Sequence, residues 1–142
     1  MIMIGAYAGV AAGAILLFLS HIAPRFAAQN FIQELGPSTI FGHTLSRREA
    51  HLMGILVHLI LSLIYGALFA FGVERGWASF TILPILGWSV ILLLFTGLIV
   101  MPLEGHGWFG LKHDAWFAVD ALLTNLLWGV MYFVLIKLWL PM

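Results

Sequence analysis

Apolar residues fall along this chain in four long runs, roughly 3–23, 50–72, 79–101 and 115–140. Each run is long enough to cross a bilayer. A helix rises about 1.5 Å per residue, so about 20 residues span a hydrocarbon core about 30 Å thick. The pattern predicts an all-α integral membrane protein, a four-helix bundle with a span for each run.

The polar stretches between the runs set the connections. Residues 24–49 form the longest of them. Pro24 ends or kinks the first span, and Phe26, Phe31, Ile32 and Leu35 then recur at helical spacing among polar neighbours. A short helix lying in the membrane interface is expected there, broken by Gly36-Pro37-Ser38. Ser46 stands three residues before Glu49, the spacing of a capping box, so span two is expected to begin at about Arg47. The loop after span two is short, and its Trp77 suits the headgroup level. Pro84 falls in the first turns of span three, which ends at Met101-Pro102. A Gly-rich connector, 103–114, leads to span four. No Lys or Arg precedes Arg25, so the first run lacks the basic flank of a secretion signal and reads as a retained span.

The chain also reads as doubled. Leu16-Leu17-Phe18 in span one matches Leu93-Leu94-Phe95 in span three, and both spans run on to a proline. Tyr65-Gly66 in span two matches Trp128-Gly129 in span four. Each half is then a helical hairpin, and the two hairpins are parallel repeats.

Composition narrows the function classes. The 142 residues are 63% hydrophobic and 8% charged, where a soluble domain carries about a quarter charged residues. One transmembrane domain, 1–142, accounts for the whole. Six basic and six acidic side chains cancel without a basic block, which excludes nucleic acid as a partner. The absence of cysteine removes disulfides, thiolate metal sites, iron–sulfur clusters and thiol catalysis. No Gly-x-Ser-x-Gly elbow and no phosphate-binding Gly-Lys motif is present, so nucleophilic catalysis has no support.

Threading the spans sorts the polar residues by side. His21, His43, His51, His58, Glu104, His106, His113, Asp114 and Asp120 all lie toward the loops after spans one and three. The other side offers Glu74, Arg75 and Lys137. Arg25, Arg47, Arg48 and Lys112 belong to the first side, so the positive-inside rule puts it in the cytoplasm. His51, His58 and Ser62 form one helix stripe, and His113, Asp120 and Thr124 repeat its steps in span four. His58 and Asp120 are the deepest of these groups and could meet across the bundle. A charged Asp at depth costs roughly 2.5–3.5 kcal/mol, so Asp120 is expected to be protonated, paired or in a wet cavity.

Three kinds of chemistry fit such a cluster. A metal ion would draw on His51, His58, Glu104, His106, His113 and Asp120, with His21 as a further donor. Haem would use His21 and His58 as the membrane-embedded pair. A proton or small-solute path would use the Asp/His chain itself. Structural hydrogen bonding competes with all three. Gly5, Gly9 and Gly13 lie on one face of span one, a face for close packing within the bundle or for an oligomer contact.

The stretch from His58 to Ala70 and the Met101-Pro102-Leu103-Glu104-Gly105-His106-Gly107-Trp108-Phe109-Gly110-Leu111 connector resemble small four-span bacterial membrane proteins grouped as domains of unknown function. The resemblance implies the four-span fold and brings no activity with it. Together these features lead to the expectation of a non-enzymatic accessory or scaffolding subunit. It would sit in a bacterial inner membrane and contact lipid and other subunits or copies of itself.

Overall fold

The computed structural model describes residues 1–22, 39–40, 42–103, 105–112 and 116–140. Four helices dominate it: α1 (Ile2–Ile22), α2 (Arg47–Glu74), α3 (Ile82–Leu103) and α4 (Trp116–Trp139). All four are long and apolar enough to span a membrane, and the chain is a multi-pass integral membrane protein of the all-α class. The only departure among the described residues is a two-residue antiparallel ribbon pairing β1 (Thr39–Ile40) with β2 (His43–Thr44). The interfacial helix expected over 24–35 and its break at 36–38 lie outside the described residues.

The start of α2 follows from its cap. Ser46 has extended backbone, its Oγ accepts from the Glu49 amide at 3.3 Å, and the Glu49 carboxylate accepts from the Ser46 amide at 2.8 Å. At 28 residues α2 is about 42 Å long, more than the hydrocarbon thickness, so its exposed first turn stands in water. The hydrogen bonds with Ser46, side chain before backbone, hold Glu49 below the usual carboxylate range. A lowered folded pKa means the cap's contribution is complete above the unfolded value and lost as pH falls through the folded one. Protection of the amides at residues 47–50, measured against their intrinsic exchange rate at each pH, should therefore fall on acidification. Glu49→Gln, which keeps an acceptor at the same reach, should flatten that pH dependence.

The helices alternate in direction. Antiparallel α1 and α2 form one hairpin, α3 and α4 the other, and α1 also packs along α4. The α1–α2 seam explains the glycine face. A methyl group at Gly5 would strike Ala70 and the Gly66 carbonyl, one at Gly9 the Ser62 carbonyl, and one at Gly13 the Ser62 side chain. In lipid there is no hydrophobic force between helices, so such close backbone contact and interhelical hydrogen bonds carry the association. The glycine face of α1 is thus filled by α2 of the same chain.

The repeat is visible in the ties between hairpins. Trp128, before Gly129 on α4, donates from Nε1 to the Gly9 carbonyl of α1 at 3.3 Å. Tyr65, before Gly66 on α2, pairs its hydroxyl with Thr96 Oγ1 of α3 at 3.2 Å. In each half, the aromatic of the second helix ties to the first helix of the other half. Tyr132 adds a bond from its hydroxyl to the Gly66 carbonyl at 2.9 Å, and Trp88 Nε1 donates to the Tyr65 carbonyl at 3.3 Å.

One feature of α3 departs from the regular span expected. Residues Thr96–Val100 form a π-helical turn, with the Met101 amide bonded to the Thr96 carbonyl. Pro102 lacks an N–H and its ring crowds the carbonyl four residues back, so the ladder widens just before it. Gly97 in this turn seats the ring of Phe109, which folds back from the connector in a left-handed conformation (φ 51°). That conformation is rare outside glycine and is held by the ring's seat.

Candidate functional site

Where the two hairpins meet, a small cavity of about 30 Å³ with several polar groups in its walls lies within the bundle. Its walls come from α2 (His58, Leu61, Ser62, Tyr65), α3 (Thr96) and α4 (Thr124, Asn125, Trp128). His58 and Ser62 share a stripe because they are four residues apart, and Thr124 is the deep end of the matching stripe on α4. The two stripes anticipated from spacing therefore converge here, one turn deeper than Asp120.

The chemistry of the walls follows from their partners. His58 is 7% exposed, and its Nε2 lies 3.3 Å from the Gly13 carbonyl. A carbonyl can only accept, so Nε2 carries the hydrogen and Nδ1 keeps a lone pair. Thr124 Oγ1 donates to the Asp120 carbonyl at 2.7 Å, and Asn125 Nδ2 donates to the Ala121 carbonyl at 2.8 Å. Each bond runs back along α4 and leaves acceptor capacity on Thr124 and Asn125. The volume suffices for one or two water molecules, and the lining supplies the two to four polar partners that a buried water needs. Such a site can hold water and pass a proton among a neutral imidazole, hydroxyls and an amide. It is far too small for a macrocycle.

The other candidates are placed as follows. His21 and His51 come together at the polar end, with ring centroids 6.1 Å apart in an edge-on arrangement. His21 Nδ1 also donates to the Leu17 carbonyl at 2.7 Å. His58 instead lies level with Gly13, eight residues or about 12 Å along α1 from His21. The structure therefore does not join His21 and His58 as a haem-ligating pair. Asp120 is half-buried, and His58 is tied through Nε2 to the Gly13 carbonyl of α1. His106 is buried within the connector, its amide bonded to the Met101 carbonyl at 2.9 Å. His43 is exposed on β2. Glu104, His113 and Asp114 lie outside the described residues. Among the described residues, no three His or acidic side chains gather as metal ligands. The His21–His51 pair offers two of the four donors that a zinc site uses.

Sequence reasoning missed Tyr65, Thr96 and Trp128 as walls of the cavity that His58 lines. Tyr65 and Trp128 carry a signal in hindsight, since they are the aromatics that mark the repeat. Thr96 carries none, because its approach depends on the π turn. No protein-family model, curated protein or solved structure matches this chain.

Proposed function

We propose that this membrane protein is a non-enzymatic accessory or scaffolding subunit, seated in a bacterial inner membrane with its histidine-rich end in the cytoplasm. The observation that supports this reading is how the deep polar groups are used. His58, Trp128, Tyr132 and Tyr65 each tie one helix to another, three of them to a backbone carbonyl. Groups spent in this way fix a rigid shape and leave apolar side chains such as Phe18, Leu83 and Leu138 on the exterior. A rigid apolar exterior suits a partner within the bilayer.

Extraction in a mild detergent followed by crosslinking and size measurement tests the reading. A stoichiometric partner or a defined homo-oligomer is expected, and a lone monomer from cells and from reconstituted bilayers alike would end it. Metal analysis and an optical spectrum of the same preparation add a second arm. A Soret band or a stoichiometric metal would replace the scaffold with a cofactor protein.

The central cavity favours a second reading, a path for protons or a small polar solute. Liposomes holding the protein and a pH-sensitive dye should then dissipate an imposed proton gradient faster than empty ones. His58→Gln should slow that leak at least several-fold. A leak equal to that of empty liposomes removes this reading.

A further inference from the structure

The side of the bundle with few polar residues carries a second concavity. Helices α2 and α3 are joined by the short 75–81 loop yet pack against each other least of the neighbouring helices. A largely apolar groove of about 540 Å³ opens between them, with Leu68, Gly72, Trp77, Gly87, Trp88 and Ile91 among its walls. At its mouth, the Arg75 guanidinium lies 5.0 Å from the centre of the Phe71 ring, and Trp77 meets the same ring edge-on at 5.8 Å. Phe71 itself lines the groove. The neighbouring Glu74 is taken up by the Met1 ammonium at 2.9 Å and the Ile2 amide at 3.1 Å. Among the described residues Arg75 makes no ion pair within 4 Å, and its charge acts on the adjacent Glu74 only through space.

We propose that this groove binds one membrane phospholipid with an anionic headgroup. Its phosphate sits against Arg75 and Trp77, and an acyl chain lies between α2 and α3. Two observations select this occupant. Along α3 the groove runs from Pro84 to Ile91, seven residues or about 10 Å, within the roughly 15 Å of one leaflet's hydrocarbon. Trp88 bonded to the Tyr65 carbonyl, with its ring 6.1 Å from Phe69, ties α2 to α3 where Phe69 and Trp88 line the groove. The mouth also pairs an exposed cation with an indole, the two side chains that anchor at headgroup depth.

Native mass spectrometry of the full chain, released from nanodiscs of equal phosphatidylglycerol and phosphatidylcholine, tests the site. One retained lipid per chain is expected, with phosphatidylglycerol favoured about five-fold, the value of one basic side chain near a lipid surface. Arg75→Gln should abolish the preference and Arg75→Lys should keep most of it. Gly87→Leu puts a side chain into the groove from a position where the first added carbon meets nothing within 4 Å. It should lose the retained lipid while melting like the parent. Equal retention in parent and Gly87→Leu would overturn the proposal. So would an absence of lipid preference in the parent, or a dimer that Gly87→Leu dissolves, which would give the groove to a second copy.

Discussion

Gly66→Leu should prevent the bundle from closing. The added carbon would overlap the Gly5 carbonyl and press on the Gly9 backbone, and neither can turn aside as a side chain could. Helix α1 would have to move away from α2 as a body. That displacement also pulls on the Tyr132 bond to the Gly66 carbonyl and the Trp128 bond to the Gly9 carbonyl, since both acceptors lie in the seam. Overpacking a filled core costs roughly 1–3 kcal/mol, and a clash of backbone with backbone belongs at or above the top of that range. The protein should fail to express in folded form, or should melt far below the parent in the same detergent. Gly72→Ala is the control: open space surrounds that glycine, and the change should stay within about 0.5 kcal/mol. A Gly66→Leu protein melting like the parent would refute the α1–α2 seam.

The contrast between these two glycines shows what was legible in the sequence. Both sit in one apolar run, and residue type alone does not separate them. The spans themselves were legible, because hydrocarbon thickness fixes a length and a composition. The cap at Ser46 was legible, because its chemistry is local. The glycine stripe on α1 showed that something approaches closely, but its partner on α2 depends on how the helices cross. The cavity was half legible. Helical spacing put His58, Ser62 and Thr124 on stripes, yet His58 turned to a backbone carbonyl of α1, an acceptor that every residue carries. The π turn before Pro102 was not legible, since a proline near the end of a span fits a regular helix equally well. The groove between α2 and α3 was illegible for another reason. It is a property of the distance between helices, and no single residue states it.

Trp128→Ala should be the most damaging truncation on α4. Trp128 is 4% exposed and stacks on Tyr132 with ring centroids 5.0 Å apart and planes 12° apart. It also forms one wall of the central cavity and donates to Gly9. Truncating a buried Trp or Phe costs about 3–5 kcal/mol, from lost contacts and from the space left behind. Here that space would merge with a cavity already lined by His58, Ser62 and Thr124, so water rather than vacuum should fill it. Trp128→Phe separates the two contributions. It keeps most of the ring and removes the N–H, and interhelical hydrogen bonds in membranes are worth on average about 0.6 and at most about 1.7 kcal/mol. Melting in detergent should therefore rank parent, then Phe closely below, then Ala far below. The imidazole resonances of His58 should shift with Ala, as water reaches Nδ1, and stay nearly unmoved with Phe. If Phe falls as far as Ala, the hydrogen bond to α1 rather than packing holds the hairpins together. If neither falls, Trp128 is not part of the core.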